Sequence, residues 1–92
     1  MKSILQENKE CFVCKKTQNL HLHHIFFGKN RKISDKNGFV CYLCYEHHEG
    51  QTGVHNKNGN CLDDYLKKTC QERFERLHSR EEFRKLIGKS YL

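Results

Sequence analysis

No apolar run in this 92-residue chain approaches the ~18 residues of a membrane-spanning helix, so a helical membrane protein is not expected. Its first ten residues, Met1 to Glu10, are polar and charged and lack the apolar stretch of a secretory signal peptide. A reducing, cytoplasmic setting is therefore expected, and with it free thiols in place of disulfides. There is no internal repeat, linker or low-complexity segment, which leaves one small domain over residues 1–92. Proline is absent altogether, and nothing about function follows from that. Acidic residues are few against basic ones, 11 Asp plus Glu to 17 Lys plus Arg, for a net charge of +6. A basic small domain suits a polyanionic partner, and nucleic acid is the expected one. Hydrophobic residues make up only 36% of the chain, a meagre core at this length, so a staple is expected.

The material for a staple is abundant. Six of the seven histidines and four of the six cysteines lie between Cys11 and His55. Ten such side chains exceed the capacity of one tetrahedral ion, which points to a thiolate-rich structural zinc site beside a histidine-rich second site. A second cation held by neutral imidazoles is a candidate for catalysis. An even count of six cysteines also fits a disulfide-rich secreted domain, but Cys-x-x-Cys spacings interleaved with His favour metal in a reducing compartment.

Residues 1–10 read as a mobile arm or outer turn, and the zinc knuckle and strand region follow over 11–55. Leu20 to Phe27 alternates and then turns apolar, as a strand with one face on a core does. Gly28 to Gly38 reads as a loop in which Lys29, Arg31, Lys32 and Lys36 face only Asp35 in opposition, a natural phosphate-facing surface. Phe39 to Leu43 reads as a second strand paired with the first. Tyr45 to Glu49 opens a short helix that Gly50 and Gly53 end. A helical packing segment spans 60–88. Asn60 is the expected N-cap of a helix running to about His78, with Leu62, Tyr65, Leu66, Thr69, Cys70, Phe74 and Leu77 as its buried stripe. Ser79-Arg-Glu-Glu82 is a capping-box pattern for a last helix, with Phe83, Leu86 and Ile87 inward and Gly88 as its stop.

Cys11 and Cys14 make the first half of the thiolate site, since two intervening residues let a tight turn aim both sulfurs at one ion. The second half is either Cys41 with Cys44 or Cys44 with His47. Cys41 and Cys44 are three apart, so on a strand they leave on opposite faces. That favours Cys11, Cys14, Cys44 and His47, with Cys41 as a small buried residue. Cys61 and Cys70 sit on the long helix, too far round and along it to face one ion together, and His78 near that helix's end complements its dipole.

The remaining histidines stand in a pattern of their own: His21-Leu-His23-His24-Ile-Phe-Phe-Gly, then Asn37, then Leu43-Cys44-Tyr-Glu-His47-His48, then Gly-Val-His55. Over about residues 11–78 this resembles the HNH nucleases, and in particular their small phage-encoded members. The resemblance implies an α+β fold, a small zinc-stapled ββα-metal domain with two additional C-terminal helices, acting as a metal-dependent endonuclease on DNA. It implies His24 as the general base that activates water, His23 and His48 as ligands of a second, catalytic divalent cation (Zn2+, Ni2+, Mn2+ or Mg2+), and Asn37 as the residue that orients the base, with Asn30 as the rival. The family often places its last ligand four residues after the helix histidine, where this chain has Thr52. His55 lies seven on, a rise of ~10 Å along an unbroken helix, so Gly50 and Gly53 must break the helix for His55 to be a ligand. His21 is a reserve ligand on the face of His23, and Lys29, Arg31 and Lys32 position the DNA backbone by charge. The alternative is a non-catalytic zinc-binding module that uses its basic face to bind nucleic acid.

Overall fold

Two five-residue strands, β1 (Leu20–His24) and β2 (Val40–Cys44), pair antiparallel, with Leu20 opposite Cys44, Leu22 opposite Tyr42 and His24 opposite Val40. In this computed structural model residues 3–50, 53, 54 and 60–92 are described, position 60 by its backbone alone. The expected N-capping role of Asn60 lies outside the described residues, as does His55. Beyond the strands come α1 (Arg31–Asn37), α2 (Tyr45–His48), α3 (Asn60–Phe74) and α4 (Arg80–Ile87), giving a small α+β protein with one two-stranded sheet. Among the described residues no helix is long and apolar enough to cross a membrane.

The segment between the strands is not the loop its composition suggests. A single 3-10 turn over Gly28–Asn30 leads into α1, which ends on Gly38 in the left-handed region at φ 74°, its N–H bonded to the Ser34 carbonyl. Seven residues with Ile33 as their only large apolar member carry too little periodicity to read as a helix from sequence. Tertiary contacts hold it. The buried Ser34 hydroxyl donates to the Phe26 carbonyl at 2.6 Å and accepts from the Phe26 N–H at 3.2 Å. Asn30 Nδ2 donates to the Ile87 carbonyl of α4 at 3.0 Å.

Of the mobile arm or outer turn expected of residues 1–10, the described residues show a segment packed along the edge of the sheet. The Ser3 hydroxyl bonds the Val40 carbonyl, Gln6 accepts from the Tyr42 N–H at 2.6 Å, and Phe12 N–H donates to the Tyr42 carbonyl at 2.9 Å. The Val40 carbonyl and both backbone groups of Tyr42, which face away from β1, are thus satisfied, which blunts the sheet edge. Leu5 is buried in the core, and Arg73 of α3 donates to its carbonyl at 3.3 Å.

Phe26, Phe39, Phe74 and Phe83 form the centre of the core, their touching pairs 5.5–6.1 Å between ring centroids in edge-on or tilted arrangements. Such pairs add roughly 0.5–1.5 kcal/mol each beyond the area they bury. α3 contributes Leu66, Cys70 and Phe74, whereas Tyr65 and Leu77, expected on the same stripe, are 55% and 87% exposed. The stripe shifts because the helix ends at Phe74, where the chain turns toward α4 and leaves Leu77 beyond it. α3 also buries a polar residue. Gln71 is fully buried, donating to Glu75 at 2.7 Å and Ser90 at 2.9 Å and accepting from the Tyr91 N–H at 2.7 Å, which pins the C-terminal tail.

The Ser79–Glu82 capping box is formed in both directions, and Gly88 closes α4 at φ 105°. Ser79→Ala removes an N-cap acceptor and is expected to lower stability by about 1 kcal/mol. The measurement is urea unfolding, where the midpoint falls with the slope unchanged.

Candidate functional site

α2 begins where β2 stops. Cys44 is the last residue of the strand and also the N-cap of the helix, so its sulfur faces the first turn, where His47 stands three residues on. The Cys44 Sγ to His47 Nδ1 distance is 3.2 Å. Opposite them is the knuckle, closed by Lys15 N–H donating to the Cys11 carbonyl at 2.9 Å and Cys11 N–H donating to the Lys16 carbonyl at 2.8 Å, with Lys15 at φ 67°. Cys11 Sγ lies 3.7 Å from His47 Nδ1 and Cys14 Sγ 3.8 Å from Cys44 Sγ. One ligand atom from each of the four residues falls within 4.8 Å of all the others. A tetrahedral zinc with Zn–S ~2.3 Å and Zn–N ~2.0–2.1 Å requires S···S edges of ~3.8 Å and S···N edges of ~3.5 Å. The cluster fits, and it can hold a metal ion such as zinc.

Its electrostatics call for a cation. Burial raises the Cys11 thiol, but the N–H groups of Cys14, Cys44 and Val13 aimed at its sulfur outweigh that and hold it down to about 6. The Lys16 N–H draws Cys14 down, yet burial and the neighbouring sulfurs of Cys11 and Cys44 push it up. Sulfurs this close cannot all carry negative charge without a positive ion among them. Cys41 is elsewhere, sealed in the core, where burial and then the charge of Cys11 push its thiol up to about 12. Burial likewise raises Cys70, so both behave as small apolar residues.

The histidines assemble on the other side of α2. His48 follows His47, so its ring leaves the helix ~100° round from the sulfur cluster. It meets both odd-numbered histidines of β1, with ring centroids 5.0 Å from His21 and 5.3 Å from His23. His21 Nδ1 and His48 Nδ1 are 3.0 Å apart. With the Glu49 carboxylate they form a second group of ligand atoms within 4.8 Å of one another, and His23 is not part of it. His23 is 2% exposed, between Phe27 and His48. The rings of His23 and His48 are neighbours, and the Nδ1 atoms of His21 and His48 lie close together as well.

His24 points the other way across the strand. Its Nε2 is 3.1 Å from Asp35 Oδ1 on α1. Neither asparagine expected to orient it does so: Asn37 Nδ2 donates to the Ile33 carbonyl at 2.8 Å within its own helix, and Asn30 is bonded to Ile87. The carboxylate takes that place because α1 turns Asp35 toward the strand, which no reading of the segment as a loop could foresee. A cleft of about 220 Å3 is lined by Leu22, His23, His24, Phe27, Arg31 and His48. A second, of about 390 Å3, is lined by His24, Arg31, Lys32 and Asp35. His24 and Arg31 are common to both, so they form the ridge between two adjoining hollows. Lys29, Arg31 and Lys32 are all exposed.

Past α2 the chain turns back sharply. Gly50 N–H donates to the Tyr45 carbonyl at 2.9 Å and Val54 N–H to the His47 carbonyl at 3.0 Å. A Cβ at Gly53 would stand 2.6 Å from the His48 carbonyl carbon, so only glycine permits the backbone to pass this near.

Removing a cation from the sulfur cluster is expected to unfold the domain, since binding at such sites is folding free energy. Chelation should collapse the near-ultraviolet circular dichroism, and one equivalent of Zn2+ should restore it. Cys14→Ser should weaken this restoration strongly, whereas Cys61→Ser, an exposed thiol outside the cluster, should leave it intact.

No family model, curated protein or solved structure matches the chain, so its function is read from these side chains.

Proposed function

We propose that the protein is a metal-dependent endonuclease of the HNH type that hydrolyses phosphodiester bonds in DNA. In this reading zinc at Cys11, Cys14, Cys44 and His47 staples the fold, and a second divalent cation sits beside the cleft with His48 as a ligand. The observation that carries the reading is the lining of one cleft by His23, His24, His48 and Arg31, with a carboxylate already seated on His24.

Each side chain has a defined task. Asp35 accepts a hydrogen bond, so the His24 ring presents Nε2–H to it and keeps a lone pair on Nδ1. That nitrogen takes the proton from the attacking water, and the carboxylate stabilises the imidazolium that results, much as an acid holds the base of a hydrolytic triad. Arg31, on the ridge between the hollows, and Lys32 beside it hold the phosphate oxygens, with Lys29 on the same exposed basic stretch. When bound, the cation supplies positive charge at the scissile phosphate and the leaving oxygen. The net charge of +6 draws the polyanion in.

The test is nicking of supercoiled plasmid by zinc-loaded protein with added Mn2+, Ni2+ or Mg2+. His24→Ala is expected to slow nicking by about 100-fold or more. Asp35→Asn, which leaves the ring in place but removes the charge that orients it, is expected to slow nicking by about 10- to 100-fold. Wild-type protein that binds DNA yet nicks with none of these ions would make the chain the non-catalytic zinc-binding module instead. A His24→Ala protein that nicks at the wild-type rate removes His24 from the mechanism.

A further inference from the structure

We infer that His21, His48 and Glu49 form the second cation site, with His21 and not His23 as the β1 ligand and Glu49 as its carboxylate. The assignment deepens the proposed hydrolase and takes its catalytic meaning from that reading, but the site itself stands on coordination geometry.

Two nitrogens ~2.1 Å from one ion and at right angles about it lie ~3.0 Å apart. The His21 and His48 Nδ1 atoms are 3.0 Å apart. Both rings are half-buried, and His23 is buried at 2% exposure. Glu49 closes the group, its carboxylate within 4.8 Å of both nitrogens. Two imidazoles and one carboxylate form a set suited to first-row divalent ions such as Mn2+, Fe2+, Ni2+ or Zn2+, and they leave coordination positions open for water and a phosphate oxygen. Charge agrees: two neutral rings and one carboxylate give a net negative ligand set in a protein of net charge +6. His48 also lines the cleft that holds His24, so an ion at this site borders the proposed reaction centre through a shared residue. The strand explains the choice. His21 and His23 share a face of β1, but His23 pairs with Cys41, one step from the start of β2, while His21 pairs with Leu43, one step from the end of β2 and from α2.

The experiment uses full-length protein preloaded with one equivalent of Zn2+, titrated with Mn2+ or Ni2+ by calorimetry, and with paramagnetic broadening of the histidine ring signals as the local readout. One further equivalent is expected to bind, broadening His21 and His48 most. His21→Ala and the surface variant Glu49→Gln are each expected to weaken this second affinity by more than about tenfold, the scale on which supporting groups already act at metal sites. His23→Gln should change it by less than about threefold. Absence of a second equivalent, or unchanged affinity in both His21→Ala and Glu49→Gln, would overturn the site and mark the two rings as hydrogen-bonded to each other only. Binding at His21 and His48 without plasmid nicking would overturn the hydrolase and keep the site. Nicking by wild-type protein together with full second-site affinity in His21→Ala and Glu49→Gln would do the reverse.

Discussion

Three sulfurs and one imidazole nitrogen converging on a single point set the constraint that the rest of this small protein obeys. An ion held there would join the knuckle at Cys11 and Cys14 to the end of β2 and the start of α2, and so close a loop containing β1, α1 and β2. Closing such a loop removes chain entropy from the unfolded state. A protein with 36% hydrophobic residues has little else with which to fix the ends of a two-stranded sheet. The phenylalanine core lies beyond the sheet among α3, α4 and the α1 connection, and steadies the other side of the same strands.

α2 links this cluster to the histidines of β1. It is four residues long, and its last two histidines face different ways: His47 into the sulfur cluster, His48 toward the histidines of β1. Fixing His47 therefore fixes the position of His48 with almost no freedom between them. The chain beyond is bent back over the helix, with Val54 bonded to the His47 carbonyl and Gly53 against the His48 backbone. Such close support by backbone is what holds a ligand within the tolerance that catalysis or specific metal binding requires.

The opposite wall of the cleft comes from α1. This helix brings Arg31 and Asp35 to His24 and is itself held by Ser34 and Asn30. It places an acid against the one β1 histidine that faces away from His48. A histidine held by a carboxylate on one side and a histidine pair beside an acid on the other is an arrangement fitted to the proposed acid–base and cation roles. Asn37, whose place in the motif suggests an orienting role, instead donates to its own helix and helps to close it.

The zinc-type cluster, the two strands, the short helix after them and the capping box at Ser79 were legible in the sequence because each carries a local pattern, which for the cluster is two closely spaced pairs of ligands. Spacing favoured Cys44 with His47 over Cys41, since three residues on a strand reverse the side-chain direction, and the structure groups His47 with the three sulfurs while Cys41 is buried in the core. Gly38 was legible only as punctuation. Its left-handed backbone ends a helix whose polar composition shows no period, and which is held by Ser34 on the Phe26 backbone after β1 and by Asn30 on the Ile87 carbonyl of α4. The amino-terminal arm is ordered for a similar reason, as β2 needs partners on its outer edge. Sequence by itself determined which side chains could bind metal and that a sulfur set and a nitrogen set would both exist. Tertiary structure decided that Asp35 holds His24, that Gln71 is buried and bonded to the C-terminal tail, and that the His21 ring lies nearer to His48 than the His23 ring does. Each of these is a matter of distance between segments set by packing, and periodicity within a segment carries no information about it.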